Sequence, residues 1–252
     1  MSSTTISSKR NLTREELVYL SMLYEKAERY SDMIQTINKY VVLEPKLTKE
    51  ERNILSSGYK NIISDKRVSW RLLNSMEKKE KKKKTSQLEN IRIVKNSVET
   101  DLTKIIDEVL LVIDKYLIPN AQDIENKVYY MKLKGDYYRY KCEYAIGKEF
   151  NEACSSAEKV YKEASDLAEK SIPISSSTRL GLALNYSVFF YEIKGLKDEA
   201  CKIAKNAFDE AMKVLDILEK AKPKDSILII QLLKENLILW NNDINDNDEE
   251  EN

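Results

Sequence analysis

The chain of 252 residues contains no histidine. That absence removes the commonest general base, the Ser-His and Cys-His nucleophile pairs, and most zinc sites together. Glycine (5) and proline (4) are scarce, which argues against a turn-rich β architecture. The three cysteines, Cys142, Cys154 and Cys201, are odd in number and lack CxxC spacing, so they read as reduced structural thiols and not as a disulfide frame or metal site. No apolar run approaches the roughly 18 residues a membrane span needs. Residues 1–10, MSSTTISSKR, are hydroxyl-rich and basic without a hydrophobic stretch, which excludes a secretory signal. An excess of one charge is missing too. Lys+Arg and Asp+Glu stand at 42 each, so no global field draws the chain to nucleic acid.

What the sequence does have is charge in quantity and helical periodicity. A third of the residues are charged, the mark of long amphipathic helices with solvated faces. The length fits one large or two small domains. Thr13 with Glu16, and Thr48 with Glu51, match the S/T-x-x-E capping box, in which two unpaired first-turn donors are satisfied reciprocally. Ile54, Leu55, Tyr59, Ile62, Ile63, Leu72, Leu73 and Met76 recur at helical spacing. They predict one helix from about 48 to 80, and a second follows from about 87 to 116 before Pro119. Further breaks near Asn120–Asp123, Gly147–Lys148, Ile172–Ser176, Gly195 and Lys222–Lys224 divide the rest into roughly nine helices in all. Short connections predict antiparallel neighbours, and neither a strand pattern nor an internal repeat is present.

Two segments are compositionally biased. Residues 78–84, KKEKKKK, read as a solvated helix end whose lysines complement the negative C-terminus of the helix dipole. As a nucleic-acid patch the run is weak, because no aromatic residues interleave. Residues 243–252, DINDNDEEEN, read as an acidic disordered tail, and residues 1–11 as a disordered N-terminal one.

Two constellations carry chemistry. Residues 227–240, ILIIQLLKENLILW, are more apolar than one core stripe requires. Either the helix is deeply buried, or it buries one face and lines a binding groove with the other. In residues 131–140, MKLKGDYYRY, Lys132, Asp136 and Tyr140 fall at i,i+4 spacing with Arg139 beside them. Alone this is an ordinary surface pairing. Joined by other cations in a partly dry groove, it becomes the way phosphoryl groups are bound.

Seven segments, in order and at matching spacing, resemble the 14-3-3 family. They are AERYSDM (27–33), LTKEERNILSSGYKNIISDKRVSW (47–70), LIPNA (117–121), KVYYMKLKGDYYRY (127–140), TRLGLALNYSVFFYEI (178–193), KNAFDEAM (205–212) and KDSILIIQLLKENLILW (224–240). The resemblance covers residues 12–242 and implies an all-α fold. It also implies about nine antiparallel helices in a concave bundle with an amphipathic groove, dimeric through its N-terminal helices. By resemblance, Lys60, Arg67, Arg139 and Tyr140 hold a phosphate, and Asn185 and Asn236 bond the backbone of an extended peptide. Glu192 and Asp136 orient the basic cluster or the peptide, Lys132 is a further contact, and Leu184, Val188, Leu228, Ile229, Leu232 and Trp240 form the apolar wall. Leu23, Ala27, Ser69, Leu73 and Val94 match the apolar dimer interface, and Arg29 and Asp101 match one of its cross-subunit ion pairs. A second pair is broken, since the usual lysine partner of Asp32 aligns with Ser97. Ser69 also aligns with a serine whose phosphorylation splits the dimer in some members. Ser175–Ser177 stand where the family carries a proline, and Tyr186, Phe190 and Ile238 are conservative exchanges.

The function so implied is a phosphoserine- and phosphothreonine-binding adaptor that masks, bridges or clamps phosphorylated client proteins. It is expected to act as a homodimer or as a heterodimer with another isoform. No catalytic residues, cofactor, metal, nucleic acid or membrane partner is expected. The place of action is the cytoplasm, and the nucleus through clients. The competing reading keeps the fold as a phosphate-independent interaction scaffold.

Overall fold

Both capping boxes form, and each starts a helix. The backbone N–H of Glu16 donates to Thr13 Oγ1 at 3.2 Å and that of Thr13 to Glu16 Oε2 at 2.9 Å. Thr48 and Glu51 repeat the arrangement at 3.2 and 2.8 Å. The computed structural model describes residues 11–83, 87–214 and 224–250, with the side chains of Lys83 and of residues after Asp243 outside the description. Residues 1–10 and Lys84, parts of the expected N-terminal tail and lysine run, lie outside the described residues, as do the break at 222–223 and residues 251–252.

Nine α-helices and no strand occur among the described residues. They fall into two units, residues 1–120 and 121–252, each with its own core. The first unit holds α1 (Arg14–Lys26), α2 (Tyr30–Leu43), α3 (Lys49–Lys83) and α4 (Leu88–Val112), the last continuing through a π-helical turn, Ile113–Leu117, before Pro119. Met33, Ile37, Tyr40, Val41, Leu55, Tyr59, Ile63, Leu102, Ile106 and Val109 are wholly buried there. Arg14 of α1 grips Glu51 of α3 through both guanidinium nitrogens, at 2.5 and 2.7 Å, so one carboxylate both caps α3 and ties it to α1.

The second unit holds α5 (Ile124–Cys142), α6 (Gly147–Ser171), α7 (Ser177–Phe189) with a π-helical turn at Phe190–Lys194, α8 (Lys197–Met212) and α9 (Lys224–Glu250). Asp123 caps α5 by accepting from Asn126 N at 2.6 Å. Ser176 caps α7 by accepting from Thr178 N at 3.1 Å, so the serines in place of the family proline supply a start signal of their own. Gly195 ends the π-helical turn at φ 66°, a left-handed conformation that side chains disfavour. Alanines let α6 approach α5 and α7, and α8 approach α7 and α9: Ala157, Ala164, Ala200, Ala204 and Ala211 have no exposed surface.

The last helix differs from its expected extent, and its two open readings are decided. The last helix does not stop before Asp243 but keeps a helical backbone to Glu250. Asp243 is held in place, accepting a hydrogen bond from the Tyr191 hydroxyl and, at its carbonyl, from Lys197 Nζ at 3.4 Å. The apolar segment 227–240 is not a deeply buried central helix. Ser226, Ile230, Leu233 and Trp240 bury one stripe, while Leu228 and Leu239 are each 57% exposed.

Candidate functional site

The predicted site residues of the second unit gather on α5. Lys132, Asp136, Arg139 and Tyr140 fall at i, i+4, i+7 and i+8, within one stripe of a 3.6-residue helix. Asp136 is 4% exposed and organises the group. It accepts from Lys132 Nζ at 3.0 Å, from Tyr161 Oη at 2.6 Å and from Asn185 Nδ2 at 2.8 Å. A buried carboxylate needs such donors, and three elements provide them: α5 itself, α6 and α7.

Arg139 is held differently. It is 6% exposed, yet its nearest acid oxygens stand back, at 3.8 Å (Asp136) and 3.9 Å (Glu192). Its Nε donates to Tyr161 Oη at a long 3.4 Å, and its plane lies 4.7 Å from the centre of the Tyr140 ring. Burial works against the charge, but Tyr161, Tyr140 and Asp136 outweigh it and keep the guanidinium pKa above its ordinary value. The result is a fixed, nearly dry cation whose ion pairs with Asp136 and Glu192 are long, a placement suited to binding an oxyanion. Lys132 follows the same pattern: burial lowers its pKa, Asp136 raises it, and the balance is upward.

Asn185 owes its orientation to Asp136. An ionised carboxylate only accepts, so the amide must present its NH2 group, which leaves Oδ1 to receive a donor such as a peptide N–H. Gly181, Leu184, Asn185 and Val188 share one face of α7, with Leu184 and Val188 half-buried. On α9, Leu228, Leu232 and Asn236 recur at i, i+4 and i+8, Leu228 at 57% and Leu232 at 37% exposure. Ile229 and the stem of Lys132 meet over Gly181, at 3.7 and 4.0 Å from where its Cβ would lie, which brings α5, α7 and α9 together at this point. Trp240 departs from its expected place on the wall. It belongs to the inward stripe of α9, is 3% exposed, and stacks on Tyr191 at 4.6 Å.

The first unit carries the other two predicted phosphate ligands on α3, Lys60 exposed and Arg67 half-buried. They are seven residues apart, so they point the same way about 10 Å along the helix. The predicted interface residues Leu23, Ala27, Ser69, Val94 and Asp101 are exposed and Leu73 is half-buried. Arg29 pairs within its own chain, with Asp32 at 2.6 Å, and Asp101 takes Lys66 at 2.7 Å. Asp32, which lacks a lysine at position 97, is therefore not without a partner.

Sequence reasoning missed Tyr161, which touches both Asp136 and Arg139 from α6. Its signal was Gly135: a Cβ there would lie 2.6 Å from the Tyr161 ring, and a glycine inside a helix marks such an approach. A separate cavity of about 650 Å³ opens between α6, α7 and α8, over the face of α7 that carries Leu182 and Tyr186. Its Arg179 is already paired with Glu210 at 2.8 Å. Among the described residues no three potential ligands cluster to hold a metal, and no helix is long and apolar enough to cross a membrane.

Comparison with known proteins shows the family. The sequence model of the 14-3-3 protein family matches residues 20–241. The chain is 47% identical to protein BMH2 of Saccharomyces cerevisiae over 241 residues, covering 95% of this chain and 88% of that one. It is 46% identical to the 14-3-3-like protein GF14 epsilon of Arabidopsis thaliana over 94% of both chains. It is also 46% identical to the checkpoint signal transducer rad24 of Schizosaccharomyces pombe, over 92% of this chain and 86% of that one. With its helices, its buried basic cluster and relatives that extend over nearly its full length, the chain belongs to the 14-3-3 family, whose members are phospho-binding adaptors for partner proteins and not enzymes.

Proposed function

We propose that the chain binds proteins carrying phosphorylated serine or threonine, holding the phosphate with Lys60, Arg67, Arg139 and Tyr140. The observation that carries this reading is Arg139: a buried guanidinium, oriented by Tyr161 and Tyr140, whose acids stand 3.8 and 3.9 Å away. A phosphate dianion offers that fork two oxygens and more charge than a single carboxylate. Asn185 and Asn236 bond the peptide backbone, and Leu184, Val188, Leu228, Ile229 and Leu232 receive its apolar side chains. Asp136, Lys132 and Glu192 hold the cations in place. The adaptor masks, bridges or clamps its clients in the cytoplasm, and in the nucleus where a client carries it there. It works as a dimer through Leu23, Ala27, Ser69, Leu73 and Val94, with Arg29 and Asp101 at the rim.

The test is titration of a fluorescent, arginine-rich phosphoserine peptide beside its unphosphorylated copy. Micromolar binding of the phosphorylated form alone is expected, weakened about 10- to 100-fold by Arg67→Ala and by Arg139→Ala, the worth of charge-assisted hydrogen bonds. Equal binding of both peptides would instead make the chain a phosphate-independent scaffold.

A further inference from the structure

In the second unit α6 and α8 pack on α7 from either side, and the cavity of about 650 Å³ is the trench between them. Its register is set by contacts at either end. Tyr186 of α7 stacks on Tyr161 of α6 at 5.3 Å, and Arg179 of α7 pairs with Glu210 of α8 at 2.8 Å. Arg179 and Tyr186 are seven residues apart, so about 10 Å of trench separates two unlike ends. At one end the half-buried Tyr186 and Ile203 join the buried Leu182 in an apolar floor. At the other stand Arg179, Glu210, Glu169 and Lys213. Charge at that end is only partly spent. Arg179 donates to Ile172 O at 3.0 Å and to Glu210, which leaves further N–H groups of its fork to be met. Glu169 on the α6 rim and Lys213 on the α8 rim have no ion pair among the described residues.

An uncommitted acid and an uncommitted base on opposite rims of an amphipathic trench select the ligand. A hydrocarbon would leave both charges unmet, and a simple cation or anion would use one rim only. A free amino acid carries both its charges on one carbon and fills little of the volume. In a dipeptide a peptide unit separates ammonium from carboxylate, so each reaches its own rim. Ser165 of α6 and Asn206 of α8 offer a hydroxyl and an amide to the unit between them. We propose that the cavity binds dipeptides with large apolar side chains. The ammonium lies at Glu169, the carboxylate at Arg179 and Lys213, and the side chains over Leu182, Tyr186 and Ile203. Volume and lining both suit a small-molecule site, a mostly apolar hollow with a few convergent polar groups. It lies on a different face of α7 from Leu184 and Asn185 and is independent of the phosphopeptide reading.

The experiment is calorimetric titration of the full chain with leucyl-phenylalanine, beside its N-acetylated form, its C-terminal amide and glycyl-glycine. Saturable binding of leucyl-phenylalanine is expected, weakened about fivefold or more when either terminus is blocked. Glycyl-glycine, which has the charges without the apolar side chains, should not bind measurably. Glu169→Gln should weaken the free dipeptide by the same factor and leave the affinity of the N-acetylated form unchanged, which a merely structural change would not do. Ala207→Phe, half-buried on the α8 wall, places a ring in the trench and should abolish binding while the helical circular dichroism is kept. A wild type that shows no saturable binding overturns the proposal. So does binding that is indifferent to blocked termini, which would mean an internal peptide segment or a plain apolar ligand, or binding unchanged in both variants.

Discussion

Tyr161 donates to Asp136 at 2.6 Å and stands 3.4 Å from Arg139 Nε, so one phenol touches both the carboxylate and the cation of the site. Burial, and then the neighbouring Asp136 charge, push its pKa well above the ordinary tyrosine value. It therefore remains a neutral donor throughout the physiological range. Tyr161→Phe keeps the ring and its stacking on Tyr186, 5.3 Å away, but strips Asp136 of a donor. The expected cost is about 1–2 kcal/mol in urea denaturation, with a several-fold loss of phosphopeptide affinity as Arg139 loses its orientation. Wild-type values in both measurements would mean that Lys132 and Asn185 satisfy Asp136 unaided. The sequence disclosed Lys132, Asp136, Arg139 and Tyr140 because they share one helix and one motif. It did not disclose Tyr161, because a hydrogen bond between residues 136 and 161 depends on how two helices pack, which periodicity within either helix does not encode.

Between elements, the α5–α6 approach is set at Gly135. A Cβ would lie 2.6, 2.8 and 2.9 Å from three carbons of the Tyr161 ring, and that ring is wedged against Tyr186 and Phe189. Gly135→Ala gains about 1 kcal/mol of helix propensity but has to displace a ring that cannot move. Overpacking costs of about 1–3 kcal/mol, raised here by the loss of the Asp136 geometry, outweigh the gain, so the thermal midpoint should fall. Gly181→Ala is the control. Its new methyl meets Ile229 at 3.7 Å and Lys132 at 4.0 Å, ordinary contacts, so the midpoint should hold or rise. A midpoint unchanged by Gly135→Ala would show that α6 can slide, and that the close approach is incidental. The helices were the most legible feature of this sequence. Capping boxes, Pro119 and Gly195 announce boundaries through local chemistry. The end of α9 was not legible, because Asp and Glu at a helix C-terminus oppose the dipole, while the ties from Tyr191 and Lys197 to Asp243 are tertiary.

The first unit leaves a large apolar surface open to water: Leu23 (43% exposed), Val68 (66%), Leu72 (62%), Met76 (42%), Ile93 (60%) and Val94 (51%), drawn from α1, α3 and α4. Scattered apolar residues are normal on a monomer, but Val68, Leu72 and Met76 recur every four residues along one face of α3, which is a pattern for burial against another helix. Charge does not oppose self-association. Arg29–Asp32 and Lys66–Asp101 are exposed pairs within one chain, worth about 0–1 kcal/mol each, so exchanging them for pairs across an interface costs little. For the same reason the serine at position 97 is a minor loss, and apolar burial should decide assembly. The chain is expected to sediment at twice its 29.3 kDa at micromolar concentration. Leu23→Glu combined with Val94→Glu, which would force two carboxylates into an apolar contact, should return it to one copy. That monomer should keep its affinity for a singly phosphorylated peptide. It should bind a doubly phosphorylated peptide about 100-fold more weakly than the wild type, because the second groove no longer acts at high effective concentration. A wild type that sediments as a single copy would remove the dimer from the proposal and leave each chain to act through one groove.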